Sequence, residues 1–344
     1  MTDPIQGAGM ANMDLTDRKL LNIVQSRFPL APEPYREIGE TLDISEAAVL
    51  GHLEELRRQN VVRQISAIFD TRRLGYKTSL VAMAYDPESL HQGALAINEH
   101  PGVSHNYARE GSFYNLWFTV AVPPGDSIEE TVETMRDRTG SLSCRIMPTI
   151  RFFKIGVNFD MVKGVSAAYQ YSPDGYDGAA RREDWNTPVA LSESDIRAIR
   201  ELQEDLPMVS RPFDDMAARL AVSLPGLFEI AQEFQERRIM RRYSAVLHHR
   251  RAGFAHNGMG VWRVPSEHSE EVGMKMAAHP AVTHCYERPT FPDWPYTHFT
   301  MIHATSRDGC EEVAREISDS TAVTDYLMLY STREYKKTRV RYFV

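Results

Sequence analysis

Val62-Arg63-Gln64-Ile65-Ser66-Ala67-Ile68 and Met240-Arg241-Arg242-Tyr243-Ser244-Ala245-Val246 are two versions of one segment. The match continues outward in the same order. Arg72-Arg73-Leu74-Gly75-Tyr76 answers Arg250-Arg251-Ala252-Gly253-Phe254, and His100-Pro101-Gly102-Val103-Ser104-His105-Asn106-Tyr107-Ala108-Arg109 answers His279-Pro280-Ala281-Val282-Thr283-His284-Cys285-Tyr286-Glu287-Arg288. Phe118-Thr119 aligns with Phe299-Thr300, and Arg151-Phe152-Phe153-Lys154 with Arg333-Glu334-Tyr335-Lys336. A period of about 178 residues is too long for a solenoid, so the chain is a tandem duplication of a whole domain unit. The segment 165–190, with Ser172-Pro173-Asp174-Gly175 and Asp177-Gly178, is punctuated as a linker between the copies.

Within the first copy, apolar residues at helical spacing predict helices over Leu15–Arg27, Tyr35–Leu42 and Glu46–Arg58, the last capped by Ser45. Three helices, then a strand-pair region over Val61–Asp70, spell a winged helix-turn-helix. Alternation then predicts a strand at Thr78–Tyr85, a helix at Pro87–Glu99 and strands at Val103–Glu110 and Tyr114–Val122. A helix at Ile128–Arg138 and a strand at Ile146–Lys154 complete the order. This β-α-β-β-α-β order is ferredoxin-like, and Gly258–Leu329 repeats it. The expected fold is α+β, in five parts: helix-turn-helix 14–60, ferredoxin-like domain 61–164, linker 165–190, helix-turn-helix 191–238 and ferredoxin-like domain 239–344.

The formal net charge of −8 argues against non-specific attraction to nucleic acid or anionic lipid. The third helices, beginning Glu46-Ala47-Ala48-Val49 and Leu224-Pro225-Gly226-Leu227, carry acidic residues and no Lys or Arg in their first ten positions. Reading DNA needs cationic or amide side chains there. The expectation is therefore no nucleic-acid partner and a scaffold role for these helices. No apolar run is long enough to span a bilayer, and the first residues lack a secretory pattern. Cys144, Cys285 and Cys310 are isolated, which fits a reduced, cytoplasmic compartment.

The order of helix-turn-helix and ferredoxin-like domain resembles the Lrp/AsnC regulators. The motifs resemble a branch of that group, the siroheme decarboxylases. Ser104-His105-Asn106-Tyr107-Ala108-Arg109 with Tyr114-Asn115-Leu116-Trp117-Phe118-Thr119 is similar to one subunit type. Arg241–Arg250, Ala252-Gly253-Phe254, Trp294-Pro295-Tyr296 to His303 and Arg333–Thr338 are similar to its partner type. The chain departs from that partner pattern at Thr297-His298, where Asn-Leu is usual. The resemblance implies a fused enzyme that removes carbon dioxide, without oxidation, from the acetate side chains on rings C and D of siroheme. The product would be 12,18-didecarboxysiroheme, on the way to heme d1 or heme. No cofactor beyond the iron-containing substrate is implied. A ligand-responsive regulator and a tetrapyrrole carrier are the competing readings.

A site for an iron-bearing polycarboxylate needs arginines or lysines to clamp carboxylates, aromatic faces for the ring and a proton donor. Residues at i, i+2 and i+4 of a strand share a face. His105, Tyr107 and Arg109 therefore line up, as do His284, Tyr286 and Arg288. His284, His105, Tyr286 and Tyr107 are the candidate catalytic residues. Arg288, Arg109, Arg241, Arg63, Arg250, Arg251, Lys336 and Trp294 are the candidate substrate contacts. Lys154 and Trp117 are weaker ones. His284, His298, His256 and His303 are open as axial iron ligands. His100 and His279 read as structural residues at helix ends, and His248-His249 as solvent-facing. The second copy, richer in His and Arg, is expected to hold the main pocket. The two copies should form an intramolecular pseudo-dimer, with further homodimerisation open.

Overall fold

The computed structural model describes residues 13–155, 159–162, 165–166, 187–247, 256–304 and 306–344. The first copy opens with helices α1 (Leu15–Ser26), α2 (Pro34–Leu42) and α3 (Glu46–Arg58). Asp14 and Asp17 form a capping box at the start of α1, and Ser45 caps α3 by accepting from the Ala48 amide. Strand β1 (Val62–Phe69) follows. Then come β2 (Lys77–Ala84), α4 (Leu90–Asn98), β3 (Val103–Glu110), β4 (Leu116–Val122), α5 (Ile128–Thr139) and β5 (Ser143–Pro148). Beyond it lie β6 (Arg151–Ile155) and two two-residue strands, β7 (Phe159–Asp160) and β8 (Val165–Ser166). The second copy has α6 (Glu193–Leu202), α7 (Asp214–Leu220), α8 (Leu224–Glu236), β9 (Met240–Leu247) and β10 (His256–Trp262). It ends with α9 (Ser269–Ala278), β11 (Val282–Glu287), β12 (His298–Ala304), α10 (Arg307–Thr321) and β13 (Tyr326–Lys337). Most of the expected linker, 167–186, lies outside the described residues.

The fold is α+β, with two helix-turn-helix units and two ferredoxin-like units. Each ferredoxin-like sheet has the expected order, β5-β2-β4-β3 in one copy and β13-β10-β12-β11 in the other. Among the described residues, neither helix-turn-helix carries a local wing. Instead β1 pairs antiparallel with β9, and Ser66 lies opposite Ser244, its own repeat equivalent. The pseudo-two-fold axis therefore passes through this ribbon. One continuous apolar core joins α1–α3 to α6–α8 around it, and the Tyr35 hydroxyl donates to the Pro207 carbonyl across the halves. The third helices bury one apolar face each in this core, through Val49, Leu53 and Leu56 and through Leu227, Ala231 and Phe234.

The expected strand Ile146–Lys154 is two strands. Pro148, which has no amide hydrogen to extend the ladder, ends β5, and after Thr149-Ile150 the chain crosses to the other copy. There β6 pairs with β11. The last strand of the second copy does the same in one piece: β13 pairs with β10 through Tyr326–Tyr330 and with β3 through Tyr330–Lys337. It thus runs well past the expected end at Leu329. Each copy completes the other's sheet at its edge, which removes exposed edges there.

The two sheets face each other with helices outside. Val81, Leu116, Phe118 and Val120 pack under α4 and α5, and Trp262, Val282 and Ile302 pack under α9 and α10. Ala82, Trp117 and Met147 from one sheet meet Met259, Val261 and Phe299 from the other. Register corrects one repeat assignment. Trp117 lies opposite Tyr107 and Phe299 opposite Tyr286, so these two are equivalent, one residue off the sequence match.

Candidate functional site

Strands β3 and β11 place their His-Tyr-Arg sets on the inner faces of the two sheets. In the first, the His105 and Tyr107 rings are 6.4 Å apart and the Arg109 guanidinium lies 5.4 Å from the Tyr107 ring centre. In the second, His284 and Tyr286 stack at 6.0 Å, with Arg288 4.9 Å from the Tyr286 ring. Each histidine bonds through Nδ1 to the hydroxyl before it, Ser104 or Thr283, at 3.0 Å. The Thr283 hydroxyl also donates to the Met301 carbonyl at 3.3 Å. Nδ1 of neutral His284 is then the donor, and Nε2 carries the lone pair.

His303, two residues beyond the partner of His284 on β12, joins them on the same face. By the same register its equivalent in the first copy is Ala121. All three histidines are partly accessible. Burial pushes His284 down to about 3, helped by His303, His105 and Arg241. Burial together with Lys337 and Arg63 lowers His105 to about 4, and burial with Lys337 and Arg109 lowers His303 to about 4. Without a bound anion the cluster is neutral at pH 7, in a ring of fixed positive charge.

Beside it lies a cavity of about 200 Å³ walled by both copies. Asp70, Arg72, Ser79 and Thr119 come from the first copy, and Arg241, Tyr286 and Arg288 from the second. Arg241 Nη2 donates to Asp70 at 2.7 Å, while Arg72 lies 5.2 Å from the Phe152 ring centre. Arg288 Nη1 also donates to the Met147 carbonyl at 2.5 Å, and its counterpart Arg109 to the Leu329 carbonyl at 3.2 Å. Arg288 therefore reaches β5 of the first copy, and Arg109 reaches β13 of the second. Arg63 Nη2 donates to the Lys337 carbonyl at 2.6 Å.

Other expected site residues lie elsewhere. Lys336 is on the outer face, where Nζ donates to the Asn98 and His100 carbonyls at 2.8 and 3.2 Å. Those carbonyls are at the end of α4, which carries the negative end of its dipole. Lys154 does the same at the His279 carbonyl, at 3.1 Å. Register turns Lys337, and not Lys336, toward His105, so sequence reasoning missed that residue by one position. His298 is fully buried beneath α9; Nδ1 meets Thr297 at 3.0 Å, Nε2 donates to the Ser269 carbonyl at 2.9 Å, and its ring stacks on Phe153. Both nitrogens are engaged away from the cavity, so it is not an axial-ligand candidate. Trp294 is in the aromatic core with Trp117, 5.2 Å away, and Tyr296; such contacts are worth about 1 kcal/mol each beyond burial. Arg250, Arg251, His248 and His249 lie outside the described residues, as does the side chain of His256. Asp70 and Arg72 enter the site through the cavity and the turn after β1.

Comparison with known proteins agrees with this fold. Residues 73–154 and 251–336 match the AsnC-like ligand binding domain, and 17–63 and 195–241 match the siroheme decarboxylase NirDL-like HTH domain. The chain is 38% identical to a siroheme decarboxylase of Hydrogenobacter thermophilus over 94% of both chains. It is 31% identical to the siroheme decarboxylase NirDL subunit of Paracoccus pantotrophus, over 94% of this chain and 96% of that one. A crystal structure of the siroheme decarboxylase NirDL in co-complex with an iron-uroporphyrin III analogue superposes with a TM-score of 0.71 at 33% identity, covering 96% of this chain and 95% of that one. With two inward His-Tyr-Arg strands, a cavity walled by both copies and relatives matched almost end to end, the chain belongs to the siroheme decarboxylase family.

Proposed function

We propose that this protein is a carboxy-lyase that removes carbon dioxide from the ring C and ring D acetates of siroheme to give 12,18-didecarboxysiroheme. The observation that carries this reading is the convergence of three histidines from both copies beside a cavity walled by Arg72, Arg241 and Arg288. The arginines bind the substrate's carboxylates as charge-assisted pairs. The C–C bond electrons pass into the electron-poor macrocycle as carbon dioxide leaves, and the resulting carbanion-like methylene takes a proton. His284 and His105 are the proposed donors, with Tyr286 and Tyr107 against the ring face. The axial ligand of the substrate's iron is proposed among His284, His303 and His256, and a histidine that ligates the iron leaves the donor role to the other one. The chemistry calls for no group beyond that iron macrocycle.

The free histidines sit too low to be charged at neutral pH. A bound polyanion works against this, because nearby negative charge favours the imidazolium. The substrate thereby loads the acid that its own decarboxylation consumes.

The test is anaerobic incubation of the purified protein with siroheme, followed by mass spectrometry of the tetrapyrrole. Loss of two carbon dioxide units is expected. Intact siroheme with a shifted Soret band would make the protein a carrier. Intact siroheme together with salt-sensitive promoter binding would make it a regulator.

A further inference from the structure

The carboxylate of Asp70, at the end of β1, is 5% exposed yet stands inside a site built for anions. It joins the two copies. Oδ2 accepts from Arg241 of the second copy at 2.7 Å. Oδ1 accepts the Arg72 amide at 3.0 Å and the Arg73 amide at 3.5 Å, and pairs with Arg72 Nε at 3.5 Å. Burial alone would raise its carboxyl, but Arg241 and Arg72 outweigh that and hold it well below the usual carboxylate range. Both arginines keep part of their surface open, 22% for Arg241 and 15% for Arg72, and both wall the cavity. Two guanidiniums converging on one cavity repel each other unless an anion lies between them. The repeat shows that this anion belongs to one copy: at its period, Asp70 falls on His248, whereas Arg72 falls on Arg250.

We propose that Asp70 is a positioning residue of the carboxylate clamp, a resident anion that fixes Arg72 and Arg241 in the geometry that a siroheme side-chain carboxylate meets in the cavity. It rests on the decarboxylase reading. It adds that the two pseudo-equivalent half-sites are charged differently, so they do not treat the two acetates alike. Removing the charge of Asp70 leaves the arginines and their attraction for the substrate but releases their orientation. Binding should survive and turnover should fall, since small misplacements cost more in the transition state than in the ground state.

The test compares wild type, Asp70→Asn and Asp70→Glu in siroheme titration, steady-state kinetics and thermal unfolding. Asp70→Asn is expected to lower kcat about tenfold or more, with the dissociation constant for siroheme unchanged or tighter and singly decarboxylated product accumulating. Asp70→Glu, which keeps the charge one methylene further out, should fall between the two. Wild-type kcat in Asp70→Asn would overturn the proposal. So would weakened binding in parallel with a lowered unfolding temperature, the mark of a merely structural residue. Should Asp70→Asn fail to fold, wild-type kcat in Asp70→Glu would overturn it. If wild type itself leaves siroheme intact, the decarboxylase reading fails first, which separates the two failures.

Discussion

The Lys154 ammonium of the first copy donates to the His279 carbonyl of the second at 3.1 Å, and Lys336 mirrors it at the end of α4. These paired contacts fasten each crossing strand to the helix of the opposite copy. Lys154→Met keeps most of the apolar stem but loses a charge-assisted bond. It should destabilise the protein by about 2 kcal/mol, measured by urea unfolding.

The same residue gives a pH signature. Burial lowers the folded pKa of Lys154 from 10.5 to about 8. Between those values the unfolded chain binds more protons, so this residue makes stability rise with pH. Wild type should therefore gain on Lys154→Met between about pH 8 and 10.5. A stability difference that stays flat across that window would contradict the assignment.

The histidine cluster acts at the acid end. The folded values of His105, His284 and His303 lie at about 4, 3 and 4, below the ordinary 6.5. As pH falls through that range the unfolded state takes up protons that the folded state refuses, and stability is lost. His303→Gln should lessen the fall in melting temperature between about pH 6.5 and 4. Bound siroheme should lessen it further, because its carboxylates favour the charged rings.

Substitution of the proposed donors should split the reaction. His284→Ala and His105→Ala should each halt after zero or one carbon dioxide loss, read as product masses over time. Unchanged kinetics in both would remove them from the chemistry.

DNA binding should be absent. The α3 and α8 units are fused through one core, and their first turns carry no cation. Fluorescence anisotropy with promoter duplexes at about 50 mM salt, where phosphate contacts are strongest, should show no salt-sensitive binding.

Much of this was legible in the sequence because the repeat states it twice. The bounds of α3 and β3 follow from cap residues and alternation, and period two puts His284, Tyr286 and Arg288 on one face. Period two does not say which face is inner when both are buried, as they are on β12. That is why His298 read as a site residue. Lys336 was matched to Lys154 by the repeat, and the register break between Glu334 and Lys336 on β13 sets Lys337 opposite His105. Nor could alternation show that Ile146–Lys154 breaks at Pro148 and changes sheets, since partner choice is long-range. Asp70 was hidden for the same reason: its value lies in Arg241, 171 residues away.

The proposed tetrapyrrole site lies at the seam of the two copies. A crystal structure of this protein with siroheme bound anaerobically tests it most directly. The macrocycle should lie between the two sheets, with its carboxylates at Arg72, Arg241 and Arg288 and with His284 and His105 against it. Density for the ligand outside the helices, or contacts confined to one copy, would contradict the account.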